Sequence, residues 1–107
     1  MSGRVRVLVW HRAGTSGADP IADAYHEVSR ELLGVPGLLG NELLGAAVDR
    51  DVLVVMSEWE SMEAFSAWEK GAGHRGTTAP LRPFRDHTRP VPFDVLTVLA
   101  EYPGAAT

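Results

Sequence analysis

The apolar positions along the chain change period in a way that separates strands from helices. Residues 4–10 (RVRVLVW) are β-branched and partly alternating, which predicts a first strand. Residues 12–18 are a Gly/Ser/Thr loop. Asp19-Pro20 then opens a helix, with Asp19 expected at the N-cap and Pro20 at the first helical position. Ile21, Tyr25, Val28 and Leu32 recur on one helical stripe, and Asp23, Glu27 and Glu31 fall off it. This helix is expected to end near Leu33, before Gly34 and the turn Val35-Pro36-Gly37. Residues 38–46 and 52–59 read as two strands joined through Asp49-Arg50-Asp51. Ser61 caps a second helix over 61–70, with Ala64, Phe65 and Trp68 on its inner side and Gly71 and Gly73 breaking it. Residues 74–92 predict a short helical turn followed by an extended arm. Residues 93–100 predict a last strand, and the tail from Pro103 is expected to fray.

The resulting order, β-α-β-β-α-β, is the ferredoxin-like α+β arrangement: four antiparallel strands with both helices on one face. Its strands do not alternate as a half-wet sheet would. Val52, Val54 and Met56 point one way, and Leu53 and Val55 the other. In the last strand Phe93, Val95 and Leu99 oppose Leu96, Val98 and Ala100. Two helices cover one face only, and an open second face would be a large apolar patch. A homodimer formed by packing sheet against sheet is therefore expected.

With 107 residues the chain is expected to be a single domain, 1–107, with its core at about 4–101. The formal net charge of −4 disfavours nucleic acid and anionic membranes as partners. There are no cysteines, so disulfides, thiolate nucleophiles and cysteine metal sites are excluded. The apolar run in MSGRVRVLVW is short and interrupted by Arg4 and Arg6, and no stretch approaches membrane-spanning length, so a cytoplasmic location is expected.

Trp59, Phe65 and Trp68 fall within ten residues and, with Tyr25, suit a pocket wall between helices and sheet; each is equally at home as core. His74, just after the glycine break, is a candidate proton donor or acceptor, or simply a loop histidine. The four histidines show no H-x-H, H-x-x-x-H or H-E-x-x-H spacing, so no metal site is expected. Arg75, Arg82, Arg85 and Arg89 are 4 of the 10 basic residues, clustered where an anionic ligand group or acids across a dimer would meet them. Asn41 interrupts LLGNELL; facing the helices, its amide would need a partner such as a ligand carbonyl. No phosphate-binding glycine loop and no G-x-S-x-G elbow is present.

The segments VPGLLGNELL and VLVVMSEWESMEAFSAWEKGAGHR resemble the antibiotic-biosynthesis monooxygenase family. The shared pattern is Pro-Gly and an apolar strand, a second apolar strand ending in Trp, a capped helix with Phe and another Trp, then His. The resemblance covers nearly the whole chain and is strongest at 35–75. It implies a dimeric α/β barrel of two ferredoxin-like protomers. It also implies oxidation of an aromatic polyketide, anthrol to quinone, by dioxygen without flavin, haem or metal. Trp59 matches the strand-ending Trp of the quinone-forming members. Those members carry Tyr at the position of Phe65 and Asn at that of Val55. A haem-degrading branch is matched less well: Trp68 and His74 resemble its Trp and His, but their spacing is short and residues 4–10 lack its Asn.

The function expected is a cofactor-independent monooxygenase acting on an aromatic polyketide or related phenol. Trp59 and His74 are the expected catalytic residues, with Tyr25, Asn41, Phe65, Trp68 and Arg82 binding substrate. The apolar residues at Val55 and Phe65 favour a rival of the same fold, a non-oxidative polyketide cyclase or a small aromatic-binding dimer.

Overall fold

The computed structural model describes residues 3–71 and 73–105. Its elements are β1 (Val5–Arg12), α1 (Asp19–Glu31), β2 (Leu38–Gly45), β3 (Val52–Trp59), α2 (Met62–Glu69), α3 (His74–Thr78), a 3-10 turn (Ala79–Phe84) and β4 (Phe93–Thr97). The four strands form one antiparallel sheet in the order β2-β3-β1-β4. This is the expected ferredoxin-like α+β fold, with the short third helix and the 3-10 turn filling the start of the expected 74–92 arm.

Local chemistry explains several element ends, including shifts from expectation at the start of α1 and the end of β4. Helix α1 starts one residue early: Ala18 is the N-cap and makes no side-chain cap bond, while its carbonyl accepts from Ile21 and Ala22. Asp19 lies instead in the first turn, where a carboxylate suits the positive end of the helix. Strand β4 stops at Thr97, short of the expected 100, although the Val98 N–H still donates to the Arg4 carbonyl. Helix α2 begins as expected, with the Ser61 hydroxyl accepting from the Ala64 N–H at 3.0 Å. The tail has no regular structure from Pro103 to Ala105 and is exposed there; the remainder of the expected frayed tail, 106–107, lies outside the described residues.

The inner face of the sheet packs on the helices through two apolar clusters. Ile21, Ala24 and Val28 of α1 and Leu32 just after it meet Leu53 and Leu81. Val5, Val7, Trp59 and Phe65 form the second cluster. Gly37 brings the chain out of the 35–37 turn at φ 83°, and a Cβ there would lie 2.4 Å from the Ala64 Cβ. Gly37→Ala therefore meets both a left-handed backbone and a clash with α2. It is expected to cost about 2–4 kcal/mol in denaturant unfolding; a loss below about 0.5 kcal/mol would contradict the tight turn-to-helix packing.

The outer face is apolar as well. Leu8, Trp10, Val54 and Met56 are half-buried and Leu44 and Leu96 are exposed, with no helix above them among the described residues. The Arg89 guanidinium lies over the Trp10 ring, 3.9 Å from its centroid.

Candidate functional site

A cavity of about 210 Å³ lies between the inner face of the sheet and the helical layer. Strand alternation supplies its floor: Val7 and Val9 of β1 and Val55 of β3 form the apolar middle, and Phe93 stands on the neighbouring strand. Tyr25, Val28 and Ser29 of α1, Leu32 just after it, Phe65 and Trp68 of α2, His74 of α3 and Leu81 form much of the wall.

Asn41 reaches this cavity because of an irregularity in β2. Leu38 pairs with Trp59, but Gly40 pairs with Glu58 and Asn41 with Ser57, so Leu39 is an extra residue in the ladder. The bulge shifts the alternation by one, and Asn41 shares the inner face with Ser57 and Trp59. The Tyr25 hydroxyl donates to Asn41 Oδ1 at 2.5 Å, and the Ser29 hydroxyl donates to the same oxygen at 3.4 Å. With its oxygen occupied by two hydroxyls, Asn41 has its NH₂ group left to donate to a ligand oxygen.

His74 sits edge-on to Trp68, with ring centroids 4.5 Å apart, on the cavity wall. Burial lowers its pKa; Glu69 works against that shift, and Arg82, Arg85 and Arg75 add to it. The imidazole is thus neutral at neutral pH and able to accept a proton.

Of the seven residues singled out from the sequence, Tyr25, Asn41, Phe65, Trp68 and His74 line the cavity. Trp59 and Arg82 do not. Trp59 is 1% exposed and lies behind the wall: its ring packs tilted against Trp68, centroids 5.3 Å apart, and edge-on to Phe65 at 5.6 Å, and its indole N–H donates to Ser57 Oγ at 3.0 Å. Arg82 is held by its own segment, donating to the Arg75 carbonyl and the Thr78 hydroxyl, both at 3.0 Å. Arg85, one 3-10 turn later, is the arginine of the cavity wall.

The residue that sequence reasoning missed is His11. It is 1% exposed, lines the cavity, and its Nδ1 has no hydrogen-bond partner among the described residues. Desolvation lowers its pKa to about 4, aided by Arg85 and opposed by the Val9 and Leu53 carbonyls. The signal was present in the alternation, since Val5, Val7, Val9 and His11 share one face of β1. Among the described residues no group of three or more His, Asp or Glu side chains could hold a metal ion, and no helix is long and apolar enough to cross a membrane.

Comparison with known proteins places this geometry in a family. The chain is 30% identical over 98 residues to protein SchA of Streptomyces halstedii, covering 92% of this chain and 26% of that protein. It is 28% identical over 93 residues to a 42.8 kDa protein in the whiE locus of Streptomyces coelicolor, covering 87% of this chain and 23% of that one. The chain thus spans about a quarter of the length of these curated relatives. In fold it matches SnoaB, a cofactor-independent oxygenase from Streptomyces nogalater, with TM-score 0.70, 14% identity, and 94% and 95% of the two chains covered. The antibiotic biosynthesis monooxygenase family model matches residues 11–79, the part of the chain that carries α1, α2, α3 and the β2–β3 hairpin. The chain belongs to the antibiotic biosynthesis monooxygenase family.

Proposed function

We propose that this protein is a cofactor-independent monooxygenase that oxidises an aromatic polyketide or related phenol, of anthrol-to-quinone type. The observation that carries this reading is the cavity itself: a mainly apolar space between sheet and helices, flanked by Trp68 and Phe65, with a few polar side chains such as Tyr25, Asn41 and His74 on its wall. Such a space suits a flat aromatic ring. The family and the oxygenase of similar fold support oxidation as the chemistry. The substrate hydroxyl loses its proton, and neutral His74 is placed to take it. The phenolate then gives one electron to dioxygen, and the resulting radical pair joins at ring carbon. Loss of water from the hydroperoxide leaves the quinone, so that anthrol and O₂ become quinone and H₂O. The protein contributes a dry site, orientation and stabilisation of the developing charge. Asn41 would hold a substrate carbonyl.

A non-oxidative reading, cyclase or aromatic-binding protein, is favoured by one feature: Val55 and Phe65 both line the cavity and present no polar group to it. Oxygen uptake separates the two. Metal-stripped protein with a panel of anthrols and naphthols is expected to consume oxygen at a rate that survives chelators and falls at least tenfold in Trp68→Ala. Tryptophan quenching by the same compounds without oxygen uptake would replace oxidation with binding or cyclisation.

The apolar outer face of the sheet is proposed to be covered by a second copy of the chain, forming the dimeric barrel common in this family. Val54 stands mid-strand on that face, opposite Trp10 and Leu44. Val54→Asp would bury an unpaired carboxylate in the interface and is expected to yield monomers in sedimentation velocity. A monomeric parent protein would remove the proposal.

A further inference from the structure

The cavity has a second polar end that the proposed reaction does not use. His11 and Arg85 face each other across an antiparallel bridge that continues the sheet beyond β4, secured by the Asp86 N–H donating to the Trp10 carbonyl at 3.0 Å. Residues paired in this way project to the same side, and both line the cavity. His11 is fully buried with an unpartnered Nδ1. Arg85 is half-buried and, among the described residues, has no carboxylate within salt-bridge distance. A buried ring nitrogen that lacks a partner is costly unless a ligand supplies one, and a guanidinium free of any carboxylate among the described residues can still take an anionic oxygen. The complement to this pair is an acidic oxygen: an O–H that donates to the imidazole and whose partial negative charge the guanidinium favours. This end is distant from Asn41. His11 pairs with Leu53 and Asn41 with Ser57, four residues apart on β3, or about 13 Å along the strand. Between them the floor is Val7, Val9 and Val55.

We propose that His11 and Arg85 form the specificity end of the cavity, receiving an acidic aromatic hydroxyl other than the one His74 deprotonates, while Asn41 receives a carbonyl at the far end of the same ligand. This rests on the reading of the cavity as an aromatic site and adds to it which end of the molecule goes where. His11 acts as a hydrogen-bond acceptor that stays neutral, and Arg85 stabilises charge on the oxygen.

The test is binding of 2-naphthol and of its methyl ether, followed by tryptophan quenching at pH 7. The two differ only in the O–H. The parent protein is expected to bind the naphthol about tenfold or more tightly than the ether. His11→Phe and Arg85→Met are each expected to narrow that ratio towards one while leaving ether binding within about threefold. A readout on the parent protein guards against variants that fail to fold: saturation with naphthol, but not the ether, is expected to shift the ¹⁵N resonance of the bare ring nitrogen of His11. Equal affinities for the two compounds, or identical His11 spectra with both, would overturn this inference and leave the aromatic site standing. Binding of neither compound would overturn the aromatic site, and this inference with it.

Discussion

Trp59→Ala is expected to destabilise the fold by about 3–5 kcal/mol, read as the shift of a denaturant unfolding curve at unchanged slope. The residue resembles a site residue in sequence, yet its whole environment is core: 1% exposed, with Val5 and Val7 in the same cluster and Phe65 and Trp68 packed against it. Truncation removes the ring, opens a void under α2 and leaves the Ser57 hydroxyl without the indole N–H it now accepts from. Trp68 is the contrast. It is half-buried and on the cavity wall, so Trp68→Ala should cost less stability and more ligand binding. If the Trp59 variant were stable to within about 1 kcal/mol and had lost aromatic binding, the assignment of Trp59 to the core would fail.

Acid is expected to unfold the protein through His11. In the unfolded chain this imidazole titrates near 6.5, and in the folded protein near 4, because burial and the neighbouring Arg85 oppose the charged form. Between those values the unfolded chain binds the extra proton, so stability falls as pH drops from about 6.5 to about 4 and is insensitive to this group outside that window. The total loss is on the order of 3 kcal/mol. His11→Phe keeps the volume and cannot titrate, so its unfolding free energy should lack this component between pH 6.5 and 4. Asp86 does not blur the window. Its hydrogen bonds from Thr88 hold its carboxyl below the ordinary range, so its contribution is lost at lower pH. Parallel pH profiles for the parent and the variant would show that His11 is not buried in the neutral form.

Much of this protein is legible in its sequence because the relevant forces are local. Period-two and period-3.6 patterns place every strand and both main helices, since burial of one face dictates them. The Ser61 cap and the Asp49–Asp51 turn follow from side chains bonding backbone a few residues away. Apolar residues on both faces of β3 show that the sheet has a second surface to cover. What only the tertiary structure decided is which chemistry-bearing residues meet. The bulge at Leu39 turns Asn41 inward, and no local pattern marks that extra residue. Arg82 and Arg85 are equivalent in the sequence, and the bridge to His11 selects Arg85. Trp59 and Trp68 are separated into core and wall by the path of α2 across the sheet. These outcomes depend on pairings between residues far apart in the chain, whose register is fixed by burial of the whole face at once rather than by any short stretch of it.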